Sequence, residues 1–283
     1  MAQAFAEDTL AGLDALELGA EQPRSGERAW RAAWPKLAAL VVLVVTWQGI
    51  ALSGVRPAHV LPGPLPVLEA LWGMLRDGTM FSAATTTMSR ALLGFALALL
   101  CGLATGVAVV RIPALRLATA SLITGVQTMP SIAWFPFAIL LFGLTEAAIL
   151  FVVVLGAAPS LANGVLAGVD QVPPLLKRAG TVLGARGWSL YRHVILPAAL
   201  PGIVAGLKQG WAFAWRSLMA GELLVIIAAR PSLGTRLHFA RELSNARAML
   251  ATMLFVLLVG VAVDSCFAAA ERSINRRRGL AVS

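Results

Sequence analysis

The sequence predicts an all-α polytopic membrane protein with six transmembrane helices. Three observations predict it. Of 283 residues, 58% are hydrophobic and 13% charged, where a soluble domain carries about 25% charged residues. Apolar runs close to the ~20 residues needed for one crossing recur along the chain. The basic residues gather at the ends of those runs, as membrane topology requires. The net charge of +9 therefore reads as topology. No basic-aromatic soluble module is visible that would bind nucleic acid.

The elements follow in order. Residues 1–36 read as a cytoplasmic N-terminal tail and 37–283 as the transmembrane domain. Residues 1–30 hold Glu7, Asp8, Asp14, Glu17, Glu21 and Glu27 without an apolar core, so they are no signal peptide. Leu10, Leu13, Leu16 and Leu18 allow a brief helix there. The first span is expected from Leu37 to Val55. Pro57, Pro62, Pro64 and Pro66 then prevent regular helix. Val67 to Leu75 suits a short amphipathic helix on the membrane. The second span is expected from Met88 to Val110, and Arg111, Pro113 and Arg116 make a tight turn.

The third span, Leu117 to Phe142, contains Pro130 and Pro136. Proline removes a backbone donor and clashes with the preceding turn, so this span should be broken or kinked. Broken backbone at membrane depth is tolerated where it is buried in protein or lines a water-filled cavity. The fourth span is Ala147 to Gly168, with Pro159 and Asn163 inside it. A basic loop at about 169–197 follows. The fifth span is Ala198 to Ala228 and the sixth Ala248 to Ala270.

Loop charge sets the orientation. Segments 24–36, 111–116, 177–192 and 272–278 lie on one side and carry fourteen Lys and Arg. The other side carries six: Arg56, Arg76, Arg230, Arg236, Arg241 and Arg247. The heavier side is expected to be cytoplasmic, with both termini and the basic loop inside. The four arginines from Arg230 to Arg247 run against the trend and read as a local feature of an outside loop.

Several chemistries find no support. Cys101 and Cys266 sit singly in apolar runs and form no redox or metal pair. His59, His193 and His238 are scattered, so no metal site is suggested. No His-Glu-x-x-His or nucleophile constellation is present, so the chain is not expected to be an enzyme. No phosphate loop is present either. The nearest Gly-and-Lys cluster, Gly202 to Lys208, has the wrong spacing. ATP and its Mg would therefore have to be held by another subunit.

The basic loop carries the most specific signal. Pro173 and Pro174 suit a helix start. On a helix from Leu175, the residues Leu176, Gly180, Leu183 and Gly187 fall near one face. Gly184 lowers helix propensity and lets a partner approach closely. The competing reading is a basic loop held by anionic lipid. Arg178-Ala179-Gly180, then Gly184 after three residues, then Val194-Ile195-Leu196-Pro197 after nine, resembles the EAA loop of ABC-importer permeases. The match holds at Ala179, Gly184, Leu196 and Pro197. It departs at Arg178, where the family has Glu, and at Gly180, where it has Ala.

The resemblance extends over Pro62 to Arg278. It rests on Thr128-Met129-Pro130-Ser131-Ile132-Ala133-Trp134-Phe135-Pro136, Leu141-Phe142-Gly143-Leu144-Thr145-Glu146, Leu196-Pro197-Ala198-Ala199-Leu200-Pro201, Ala214-Trp215 and Ser232-Leu233-Gly234. These are similar to the aliphatic-sulfonate, taurine and nitrate permeases. The resemblance implies a type I, MetI-like importer fold in the inner membrane of a prokaryote. It implies a second permease copy, two cytoplasmic ATPase subunits on the docking loops, and an extracytoplasmic solute-binding protein. The alternative is a secondary transporter, for which inverted repeats and paired ionisable residues would be expected. No clear repeat is visible.

The fifth span carries Lys208, Arg216 and Glu222 at membrane depth, where charge is costly. Lys208 and Glu222 are about 21 Å apart along a helix and cannot pair with each other. Both read as charges neutralised within the bundle. Arg216 reads either way: as a structural charge, or as positive potential along a path for an anionic solute. Gln127, Asn163 and Trp134 are further candidates for that path. The two polar residues also suit bonds between helices, and the tryptophan suits helix packing.

Overall fold

The computed structural model describes residues 25–112, 116, 123 and 125–277. Every regular element among them is helical. Two compact units emerge, residues 1–64 and 65–283. The first contains helix α1, Ser25–Leu52. Helix thus begins well before residue 36 and runs through Pro35. Trp47 Nε1 donates to the Pro62 carbonyl at 3.1 Å and ties the proline-rich loop back to the helix. Residues 1–24, including Leu10 to Leu18, lie outside the described residues.

The second unit opens with α2, Pro64–Arg76, which buries Val67 and Leu71. A turn follows, with Gly78 at φ 74°. Asp77 there accepts from the Thr79 hydroxyl at 2.7 Å and its N–H at 2.9 Å. These bonds hold the Asp77 carboxyl below the usual carboxylate range. Helix α3 is Thr79–Arg111. It starts nine residues before the expected Met88, because the hydroxyls of its first turns are satisfied locally. Thr85 bonds to Ser82 O at 2.8 Å and Ser89 to Thr86 O at 2.8 Å.

The third span breaks where its first proline stands. Residues 125–128 are helical, Met129 and Pro130 are not, and a 3-10 turn, Ser131–Trp134, leads into α4, Phe135–Phe142. Pro136 lies in the first turn of α4, where its missing N–H has no helical partner to lose. It starts a helix and does not kink one. Most of the turn at Arg111 to Arg116 and the start of the span lie outside the described residues.

Helix α5 is Glu146–Asp170, and α6, the first part of the basic loop, is Pro174–Val182. A single helical turn at Trp188–Leu190 passes through a π-helical Tyr191–Ile195 into α7, Leu196–Leu224. Helix α8, Leu233–Glu242, precedes α9, Ala246–Arg277. Among the described residues five helical runs are long and apolar enough to cross a membrane: α1, α3, α5, Trp188–Leu224 and α9. The segment Ser131–Phe142 is a shorter apolar helix. Of the six expected spans, the third is broken at Met129 and Pro130, and the first and fifth end early, at Leu52 and Leu224 rather than Val55 and Ala228.

Helix α5 lies between α3 and α7, and glycine makes both contacts close. A Cβ on Gly164 would fall 2.5 Å from the Gly206 Cα, and one on Gly202 would fall 2.6 Å from the Gly168 Cα. The two backbones therefore touch. On the α3 side, a Cβ on Gly102 would meet the Ala158 carbonyl at 2.7 Å. Glycine recurs every fourth residue at 102/106, 164/168 and 202/206/210, the small-xxx-small spacing that lets membrane helices approach. The core around these crossings holds Phe135, Ile149, Val152, Val153, Leu161 and Leu218.

Gly206→Val should destabilise this crossing by roughly 1–3 kcal/mol, as overpacking does. Gly260→Ala serves as a control, since its Cβ would meet nothing nearer than the Trp215 Nε1 at 3.5 Å. Thermal unfolding of the detergent-solubilised chain should show a lower midpoint for the first variant only. Equal midpoints would contradict backbone contact between α5 and α7.

Candidate functional site

The basic loop is shorter as a helix than its sequence suggests. Helix α6 ends at Val182, and Gly184 and Gly187 follow with φ of 89° and 52°. Leu176, Gly180, Leu183 and Gly187 therefore do not share one helix face. Gly184 supplies a left-handed turn, a backbone state that side chains resist. A Cβ there would meet nothing within 4 Å, so the turn stands open. Gly180 does the opposite. It is buried, and a Cβ on it would meet Leu190 and Val194 side chains at 2.9 Å. The departure from Ala at this position lets α6 seat directly on the π turn. Arg178 and Ala179 are exposed, as are Leu196 and Pro197 at the foot of α7. Leu175 and Leu176 are also exposed, at 75% and 45%, in this polar-flanked segment.

The candidate path residues divide into two places. Asn163 Nδ2 donates to Gln127 Oε1 at 3.1 Å, and Gln127 Nε2 donates to Ser160 Oγ at 2.9 Å. Both amides are thus engaged between α5 and the segment before the break. Gln127 and Trp134 line a cavity of about 20 Å³ with Ser131, Gly156 and Phe213, large enough for one water. Arg216 does not line that cavity but sits against one of its walls, Phe213. It stacks over the Phe213 ring at 5.4 Å and lines a cleft of about 610 Å³ between α7 and α9. Trp211, Trp215, Met253 and Asp264 share that cleft. Among the described residues Arg216 has no carboxylate partner. Lys208 reaches Asp264 at 3.6 Å.

The most completely buried charged group among the described residues is Glu222, which is 0% exposed. It accepts from Thr87 Oγ1 at 2.8 Å, Arg90 Nη1 at 3.0 Å and the Gly234 N–H at 3.1 Å. Thr87 Oγ1 in turn accepts from the Leu233 N–H at 3.0 Å. Arg90 is 3% exposed and extends to Glu146 at 3.2 Å, which also accepts from Arg230 at 3.0 Å. This network joins α3, α5, α7 and the start of α8. The motif Ser232-Leu233-Gly234 thereby acquires a physical role. Gly234 leaves no room for a Cβ against Glu222, and Ser232 caps α8 by accepting from the Thr235 N–H. Sequence reading missed Arg90 and Thr87. The signal was an arginine only two residues inside the expected second span.

Residues 94–276 match the family model for binding-protein-dependent transport system inner membrane components. The chain belongs to that family. Relatives include the taurine transport system permease protein TauC of Escherichia coli strain K12, 28% identical over 92% of this chain and 97% of that protein. The riboflavin transport system permease protein RibX of Chloroflexus aurantiacus is 32% identical over 82% of this chain and 85% of its own. A putative aliphatic sulfonates transport permease protein SsuC of Bacillus subtilis is 28% identical over 88% and 89%.

The fold is also that of solved importers. Inward-facing MetNI methionine ABC transporter structures contain a chain similar at TM-score 0.56 and 20% identity, covering 67% of this chain and 93% of that one. An amino acid ABC transporter solved with histidines gives 0.58 at 17% identity, covering 73% and 98%. The chain is therefore an ABC importer permease of MetI-like fold in the membrane. The alternative of a secondary transporter is set aside.

For this permease the Arg90–Glu222 pair should be structural. Removing one partner of a buried pair costs about 3–5 kcal/mol, because the other charge is stranded. Glu222→Ala should lower the thermal midpoint and expose α8 to protease. Arg90→Met with Glu222→Met should recover part of the loss. An unchanged midpoint in Glu222→Ala would contradict the network.

Proposed function

We propose that this permease carries a small anionic solute of the aliphatic sulfonate, taurine or nitrate class into the cell. The observation that carries the reading is Arg216. It is an arginine on a membrane helix, exposed in a cleft, held by an aromatic face and not by a carboxylate among the described residues. Such a charge costs about 2.5–3.5 kcal/mol on the insertion scale, so something must offset it. An aqueous path that passes anions does so. The names of the relatives TauC and SsuC point the same way. A second reading has one support. Trp211 and Trp215 share the cleft with Arg216, and the relative RibX is named for riboflavin. A planar ring-bearing solute would suit those walls.

In this reading two copies of the chain pair around the path. Two ATPase subunits bind ATP and Mg, and the chain itself binds no cofactor. They grip Arg178, Ala179, Gly180, Gly184, Leu196 and Pro197 on the cytoplasmic side, where both termini also lie. A binding protein delivers solute to the other face. The exposed Gly184 turn and the exposed apolar residues of α6 support the docking role.

Proteoliposomes holding the permease, its ATPase and its binding protein test both parts. Gly184→Asp should abolish ATPase co-purification, because the turn is strained and a charge enters the contact. Arg216→Gln should keep assembly and basal ATP hydrolysis but slow taurine or sulfonate uptake by about tenfold, equivalent to ~1.4 kcal/mol. Normal uptake by Arg216→Gln would remove the anion path. Normal ATPase binding by Gly184→Asp would remove the docking assignment.

A further inference from the structure

A second cavity, of about 390 Å³, lies where the docking segment joins the membrane bundle. Its deep walls are Val107 of α3, Val165 and Val169 of α5, and Ile203 of α7. The remaining wall is the π turn and its flanks, with Trp188, Tyr191, Arg192 and Leu196, the last at the edge of the proposed ATPase contact. Apart from Tyr191 and Arg192, every lining side chain is a hydrocarbon or an indole. The volume is in the range of small-ligand sites. Val107 and Val169 stand within the last turn or so of helices that end at Arg111 and Asp170. The cavity thus lies near the ends of two membrane helices, on the side of the basic loop.

The chemistry of the walls selects the occupant. An apolar interior with an aromatic and cationic rim matches a chain-bearing molecule with an anionic head. Trp and Tyr sit at headgroup level, and basic side chains there attract anionic lipid. Arg192 is exposed and has no carboxylate partner among the described residues. The nearby acidic residue Asp170 is already engaged by Arg116.

The π turn gives the site a consequence. Such turns are rare and cluster at functional sites. Here Tyr191, Arg192 and Ile195 line the cavity, while Leu190 and Val194 press on Gly180 of α6. One short segment therefore has the cavity on one side and the docking helix on the other. We propose that the cavity holds an acyl chain of one anionic phospholipid, with its phosphate against Arg192, and that this lipid stiffens the joint between the docking helix and α7.

The test uses the full permease purified in detergent, and phosphatidylglycerol carrying a photoreactive group on one acyl chain. Adducts should map to residues 165–169 or 188–196. Unlabelled phosphatidylglycerol should compete at least about tenfold better than phosphatidylcholine, a difference of ~1.4 kcal/mol. Arg192→Gln should bring the two competitors to near parity while keeping the adduct. Val165→Phe should fill the cavity and remove the adduct; Ile203→Phe, on another helix, repeats that test should the first variant not fold. Adducts spread evenly over exposed membrane faces would overturn the site. Equal competition by phosphatidylcholine in the wild type would overturn its anionic selectivity. Protection of the cavity by a second permease copy, seen as a crosslink between chains through residues 188–196, would assign the surface to that copy and overturn the lipid.

Discussion

The contact on which this permease depends is that between the backbones of α5 and α7. Gly164 and Gly168 face Gly206 and Gly202 with no side chain between them. Lipid offers no hydrophobic force to hold membrane helices together, so close packing and polar bonds must do it. The glycine contact brings α7 near enough for Leu161 of α5 to fill the space over Gly210. It also fixes α7 along its length. That helix starts at the docking segment and ends two residues beyond Glu222.

Glu222 then fixes the far end. A buried carboxylate is costly unless its partners are complete. Here Arg90 supplies charge, while Thr87 and the Gly234 N–H supply hydrogen bonds. The loop after α7 is folded back onto the bundle as a result, and α8 begins where Glu222 and Thr87 receive its first N–H groups. At the other end, Gly180 seats α6 on the π turn from which α7 grows. The basic loop, α7 and α8 are therefore joined by direct contacts, Gly180 on Leu190 and Val194 at one end and Glu222 on the Gly234 N–H at the other. These contacts give a displacement applied at α6 a route through α7 to α8.

Much of this was legible in the sequence. Hydropathy and basic residues placed the membrane helices, and Pro130 marked the break. Boundaries moved where local bonds outweighed hydropathy, as with the self-satisfied hydroxyls that begin α3 at Thr79. The docking segment was legible as a motif but not as geometry. Gly184 and Gly187 were read as helical, yet both adopt positive φ, which is not visible until the chain is traced. The glycine spacing at 202/206/210 was present in the sequence, but that stretch was weighed only as a failed phosphate loop. The partner of Glu222 lay 132 residues away, and no pattern of neighbours in one sequence joins two such positions. Arg216 was visible as a charge at depth, but its aromatic partner and the cleft it lines are tertiary facts.

The continuity of α6, α7 and α8 is the claim most open to direct measurement. Spin labels at Val182 and Arg241, both strongly exposed at 87% and 67%, report on its two ends in a chain lacking Cys101 and Cys266. Labelled chain is diluted into unlabelled chain and assembled with the ATPase subunits. Pulsed electron resonance then gives the intrachain distance without nucleotide and with ATP trapped. The account predicts one narrow distance in both states, while the same labels at full occupancy report changing distances between chains. An intrachain distance that shifts or broadens on ATP binding would contradict it, because the docking segment would then move independently of α7 and α8.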